Sequence, residues 1–362
     1  EKRMEIEFID VLLSVLSLVL LAIPGFIFAK LKMLPEKATE AFSVVVLYGA
    51  QSALVFKSFQ GTAFEAETAI NMLIVAGLAA AVHLIMIGIC CAVTAGKGED
   101  AKIRCVRYAG VFSNCGFMGF PFLKAVFAGH GSINEIMIYG AVVVAVFNII
   151  NWTFGVYLIT GDKTKVSVKK IATNPVIISV ILGFLLYALL PRPIADLAAQ
   201  NTVLDKILEK LMEVIGYLSE IVTPVSMIVI GIRLAGVNLK SLFLDKYAYL
   251  ASGLKLIVMS LLTMLCVLFL PVEEEIKYTL FFLLSMPCAT SGALFAVQFG
   301  GDGIAAARLL LAAGVQVQAW LVGDSGRMTP DARAMQQRLQ AAGGCLLPFS
   351  AQAFTLAAPA PG

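Results

Sequence analysis

Long apolar runs separated by short polar loops occupy the chain from residue 8 to residue 299. A membrane-spanning helix needs roughly 20 mostly apolar residues. Nine runs approach or exceed that length: residues 8–30, 39–58, 68–94, 107–128, 135–159, 174–191, 213–235, 247–271 and 278–299. The polar positions between them alternate in charge. Loops after the first, third, fifth and seventh runs hold 14 lysines and arginines, among them Lys30, Lys97, Arg104, Lys169 and Lys240, whereas the alternate loops hold 5. Cytoplasmic loops carry the excess of lysine and arginine. The pattern therefore predicts a multi-pass protein integral to the plasma (inner) membrane, with its N-terminus outside.

Composition points the same way. The chain is 59% hydrophobic and 14% charged, with a mean hydropathy of +0.90, against about 45–50% apolar and about 25% charged for a soluble domain. A net charge of +3 spread over short loops gives no reason to expect nucleic acid as a partner. The first run is too long for the core of a signal peptide and no A-x-A site follows it. Cys90, Cys91, Cys105, Cys115, Cys266, Cys288 and Cys345 form no C-x-x-C pair and have no histidine at metal-ligand spacing, so they read as small buried hydrophobes. There is no H-E-x-x-H, no G-x-S-x-G and no carboxylate pair inside the runs, so the spans carry no enzyme signature and no metal site.

The fourth run gathers its helix breakers in one place: VFSNCGFMGFPFLKAVFAG (111–129) holds Asn114, Gly116, Gly119 and Pro121. Proline lacks the amide a helix interior needs and clashes with the preceding turn. The ninth run, FFLLSMPCATSGALFAV (281–297), places Pro287 correspondingly. A weak internal repeat relates the two halves, since at an offset of 173 Glu36, Lys37 and Glu40 fall on Glu209, Lys210 and Glu213. The matched spans enter from opposite sides, as an inverted repeat requires. Paired interrupted helices in two halves point to a transporter binding site. Non-helical backbone is tolerated at membrane depth only where it is buried in protein or lines a cavity.

The stretches IPGFIFAKLKMLPEKATEAFSVVVLYGAQSALVF (23–56), SNCGFMGFPFLKAVFAG (113–129), NPVIISVILGFLL (174–186), VTPVSMIVIGIRLAG (222–236) and MPCATSGALFAVQFGGD (286–302) resemble the auxin efflux carrier family. That family includes plant auxin exporters and bacterial malate or malonate permeases. The resemblance covers residues 8–300 and implies an all-α polytopic fold of two inverted five-helix repeats, with helices four and nine broken near crossing prolines. It also implies secondary, elevator-type transport of a small organic anion: malate, malonate or an auxin-like carboxylate. Two positions depart from the family pattern: Gln51 stands where a proline is usual, and Ser291 near where an asparagine is frequent.

The resemblance makes Asn114 a substrate or ion contact, with Gly116, Gly119, Pro121 and Pro287 shaping the site; an interhelical hydrogen bond is the plainer role for Asn114. Asn148 and Asn151 face the same crossing or act as polar glue between helices. Thr290 and Ser291 offer hydroxyls, or bond back to their own helix. Lys124 is an anion partner or snorkels to the interface, and His83 a proton partner or a packing residue. Glu65, Glu67 and Glu273–Glu275 read as solvated. No cofactor is expected, and coupling to protons or sodium is left open. The expected partners are a small organic anion and the lipid bilayer, with a homodimer left open. The alternatives are a sodium-coupled symporter for bile-acid-like anions, and a membrane sensor or fused enzyme with a nucleotide-binding C-terminal segment.

Residues 301–362 contain no lysine, against 18 in residues 1–300. The stretch GGDGIAAARLLLAAGVQVQAWLVGDSGRMTPDARAMQQRLQAAGG (300–344) predicts a helix at 304–313, a strand at Val315–Val322 and a second helix, and resembles a fragment of the N-terminal domain of NAD(P)H-hydrate epimerases. The domain plan is an N-terminal repeat of spans one to five (1–160), a cytoplasmic loop (161–173) and a C-terminal repeat of spans six to nine (174–299). An α/β-like fragment of foreign character (300–344) and a disordered tail (345–362) follow. The tenth helix is absent, replaced by this tail or strongly diverged within it, and a join of two unrelated coding sequences at FGGD is the favoured account.

Overall fold

The computed structural model describes residues 8–35, 38–97, 101–190, 193–194, 203–236, 246–289, 292, 318–321 and 345–348. Helices account for nearly all of them. The N-terminal half runs α1 (Phe8–Lys30), α2 (38–59), α3 (Ala66–Val93), α4 (Ala101–Val111), α5 (Cys115–Val126) and α6 (Ile133–Thr160). It continues through the short α7 (Val168–Ala172) and α8 (Pro175–Leu189) to α9 (Val203–Glu220), α10 (Val222–Ala235), α11 (Lys246–Leu268) and α12 (Glu274–Ser285). Among the described residues six helices are long and apolar enough to cross a membrane, α9 and α10 counting together as one (Asp205–Ala235), or seven if Lys163–Ala172 and α8, bent by 42°, count as one.

Nine runs were expected, and the shortfall has local causes. The fourth run is divided into α4 and α5, neither long enough alone. The sixth reaches only 15 residues in α8. The ninth begins as α12 and passes out of the described residues after Ala289. The seventh starts ten residues earlier than its hydropathy suggested, because Val203–Met212 is helical but carries Asp205, Lys206, Glu209 and Lys210.

Local chemistry sets the boundaries outside the spans. Asn174 caps α8, its side chain accepting from the Val176 amide at 2.9 Å, and Pro175 follows at the first helical position. Asp162 accepts from the Thr164 amide and hydroxyl, and those two bonds hold its carboxyl below the ordinary range.

Large apolar side chains cover the outer faces, including Leu16, Leu20, Ile181, Leu185, Leu261 and Leu265, all exposed. In water such surface is a liability; against lipid it is matched. Inside, helices approach closely where side chains are smallest. A Cβ on Gly231 of α10 would lie 1.9 Å from the Ala22 carbonyl oxygen, and one on Gly25 of α1 would lie 2.2 Å from that of Ile228. The two backbones are therefore in direct contact, the arrangement small residues permit in membranes.

Near the C-terminus, β1 (Gln318–Leu321) and β2 (Cys345–Pro348) form a parallel pair, with Gln318 opposite Cys345 and Leu321 opposite Pro348. The expected strand is thus present but shorter. The expectation of disorder from residue 345 is corrected for residues 345–348, where four residues are strand. Both expected tail helices and the repeat residues Glu36 and Lys37 lie outside the described residues, as does the tenth-helix region apart from 318–321, which is strand.

Candidate functional site

The helix breakers of the fourth run do interrupt it, but not where Pro121 alone would. α4 ends at Val111, residues 112–114 leave the helix, and the chain re-enters at Cys115 in a π turn (Cys115–Gly119) that runs into α5 proper. Pro121 sits near the start of the α-helical part of α5, seven residues after Asn114. A wider π turn just before proline removes the need for the amide it lacks and eases its clash with the preceding turn. Ser113 and Asn114 are the residues whose side chains compete best with helical backbone, and the interruption falls on them.

The end of α12 meets this break. α12 ends at Ser285, and Met286–Ala289 is non-helical. Ser113 and Cys288 form an antiparallel bridge: the Asn114 amide donates to the Pro287 carbonyl at 2.7 Å, and the Ala289 amide donates to the Phe112 carbonyl at 2.8 Å. Two backbone segments freed from their helices thus satisfy one another in a buried place, which their polar groups demand. The Ser113 hydroxyl donates to the Leu284 carbonyl at 2.7 Å.

Lys255, which the sequence reading passed over, completes the crossing. It is 2% exposed, and its ammonium donates to the Val111 carbonyl at 3.2 Å, to the Leu284 carbonyl at 3.0 Å and to the Ser113 hydroxyl. A lysine in the middle of an apolar run was the available signal, since ionisable groups at membrane depth are costly and functional by default.

Among the described residues four helices carry π turns, and each turn is near a polar residue or glycine of the central region: Val45–Ala50 before Gln51, Cys115–Gly119 with its two glycines, Asn151–Gly155, and Gly253–Val258 around Lys255. Such turns are frequent at functional sites. Gln51 lies over the backbone of Gly116, where an added Cβ would be 2.3 Å from its amide nitrogen. Its Oε1 is buried with no hydrogen-bond partner. Gly119 is covered by Leu283, whose Cδ2 would be 2.5 Å from a Cβ there.

The remaining candidates divide. Asn114 is buried beside the crossing. Asn151 is buried and accepts from the Tyr108 hydroxyl at 2.7 Å. The same Tyr108 ring lies 2.4 Å from where a Cβ on Gly292 would be, so Tyr108 joins Asn151 to the chain just beyond the crossing. Asn148 faces elsewhere. Its amide donates to Val144 of its own helix at 2.8 Å, and its carbonyl accepts from Asn174 at 3.3 Å, which makes it interhelical glue.

His83 is fully buried, with Nδ1 2.7 Å from the Ala79 carbonyl and Phe112 and Phe147 flanking it; its Nε2 has no partner. Lys124 is exposed in the last turn of α5, a position favourable for a cation, and makes no polar contact with the crossing. Thr290 and Ser291 lie outside the described residues. Among the described residues no group of His, Cys, Asp and Glu could hold a metal ion, and Cys90, Cys91, Cys105, Cys115, Cys266 and Cys288 are free.

Comparison with known families gives two matches, which overlap at residues 292–317. A family described as "YjeF-related protein N-terminus" matches residues 292–358, in keeping with the resemblance of the tail to a hydrate epimerase fragment. No curated protein matches the chain. A family described as "Membrane transport protein" matches residues 10–317, most of the chain and all of the crossing. With its apolar helices and a family match over most of its length, the chain belongs to that membrane transport protein family, of auxin efflux carrier type.

Proposed function

We propose that the chain is a secondary transporter that moves a small organic anion, such as malate, malonate or an auxin-like carboxylate, through a site at the crossing. The observation that carries this reading is the antiparallel bridge between Ser113 and Cys288. Its two segments run in opposite directions at one level, as the broken helices of an inverted pair would. In transporters of that plan, half-helix N-termini receive the anionic group of the substrate near the midplane.

Here the N-terminal end of α5 begins beside Asn114. The first amides of a helix have no acceptor within it, and the dipole there favours negative charge. A carboxylate placed at that end would take donors from those amides and from the Asn114 side chain. The Gln51 amide, resting on Gly116, lies within the same neighbourhood. Elevator motion of the crossing against the remaining helices would carry the anion between the two faces of the membrane.

A ligand screen on the purified full chain tests the assignment. Malate, malonate and an indole carboxylate should raise the melting temperature without sodium, and Asn114→Ala should remove the effect. Stabilisation by a bile-acid-like anion only with sodium would favour the sodium-coupled alternative. The parallel pairing of β1 with β2 and the match over residues 292–358 favour testing a second activity in the tail. Saturable binding of a nicotinamide nucleotide would support it, and no binding would leave the tail without one.

A further inference from the structure

The ammonium of Lys255 is held by three oxygens, and its three donors are thereby matched to three acceptors. Two of these are carbonyls at helix C-terminal ends: Val111 is the last residue of α4, and Leu284 the last but one of α12. Each such end carries about half a negative elementary charge, so the two together are offset by one lysine. The third oxygen, that of Ser113, itself donates to Leu284 and sits in the bridge between the two interrupted segments. Among the described residues no carboxylate contacts the ammonium. The ionisable side chains facing it are His83, Cys90, Cys115 and Cys288. In carriers with discontinuous helices, unwound carbonyls and half-helix C-terminal ends are the groups that coordinate a coupling sodium ion or proton. In this chain they coordinate a side chain that cannot leave.

We propose that Lys255 is a resident cation at the crossing, filling the oxygen cage that a dissociable sodium ion would need, so that transport by this chain proceeds without a monovalent metal cation. The inference rests on the transporter reading for its consequence, but the occupancy of the cage is testable apart from transport.

The experiment uses the full chain in detergent, melted at equal ionic strength in sodium, lithium, potassium or choline chloride. The wild type should melt at the same temperature in all four. Lys255→Met, which keeps the length and removes the charge, should melt lower by about 5 °C or more. Lys255→Ala, which empties the cage, should gain a rise in sodium or lithium over choline that the wild type lacks. A sodium-dependent rise in the wild type would overturn the proposal, as would Lys255→Met melting like the wild type. A Lys255→Ala variant no more responsive to sodium than the wild type would also count against it, and would leave Lys255 a structural tie.

In proteoliposomes, wild-type malate counterflow should be equal in sodium and in choline; faster counterflow in sodium would contradict the proposal. Absent counterflow in every buffer would count against the transporter reading, while sodium-insensitive wild-type melts together with a sodium-responsive Lys255→Ala would still support the resident cation.

Discussion

Gly116 and Gln51 offer the sharpest test of how the crossing is built. A Cβ on Gly116 would lie 2.3 Å from Gln51 Nε2, 3.0 Å from its Cδ and 3.1 Å from its Oε1, with no other atom nearer. Gln51 must therefore retreat by roughly 1 Å to regain ordinary van der Waals separation. It is 2% exposed, so it has little room to do so, and overpacking of this kind costs about 1–3 kcal/mol. Gly116→Ala alone should destabilise the chain by about 2 kcal/mol. In a Gln51→Ala background the clash is gone, and the same substitution should cost less than about 0.5 kcal/mol. The coupling between the two positions should then exceed about 1 kcal/mol, which a double-mutant cycle of equilibrium unfolding in mixed micelles can read. Additive effects would refute the contact and show that Gly116 is required for some other reason, such as backbone approach by a substrate.

Other substitutions probe different levels of the account. Gly231→Ala puts a methyl group 1.9 Å from the backbone of α1, which cannot swing aside as a glutamine can. It should cost about 3 kcal/mol or more, read as a larger fall in melting temperature than Gly116→Ala produces. Tyr108→Phe removes the buried bond to Asn151 and should cost about 1 kcal/mol in the same unfolding assay. Orientation can be read from single cysteines in a background without reactive native ones. Gly131→Cys should label with an impermeant maleimide from outside intact cells, and Thr164→Cys only after permeabilisation.

Much of this architecture is legible in the residues, because lipid leaves helices few choices. The ends of α1 and α3 fall within two residues of the apolar runs that announce them. Non-helical backbone at 112–114 and 286–289 lies near Pro121 and Pro287, yet proline chemistry alone does not place the first of these stretches. It lies at Ser113 and Asn114, where side chains and a partner segment supply what the helix gives up. π turns leave no periodic signature strong enough to read. They come from fitting proline, glycine and a buried lysine into continuous helices. Lys255 could have been singled out by its cost at membrane depth, but its partners are three backbone or hydroxyl oxygens contributed from residues 29 to 144 positions away, which no local pattern reveals. Asn148 and Asn151 look equivalent in sequence. Only packing separates them, directing one toward Asn174 and the other toward Tyr108.

The central claim, that organic anions pass by way of the crossing, is met most directly by counterflow. Purified full chain would be placed in liposomes loaded with unlabelled malate and given labelled malate outside. The account predicts transient accumulation of label well above that of empty liposomes, and its loss in Asn114→Ala protein that melts like the wild type. Counterflow by Asn114→Ala as fast as wild type would remove Asn114 from the site, and a folded wild type that accumulates none of the three proposed carboxylates would contradict the account.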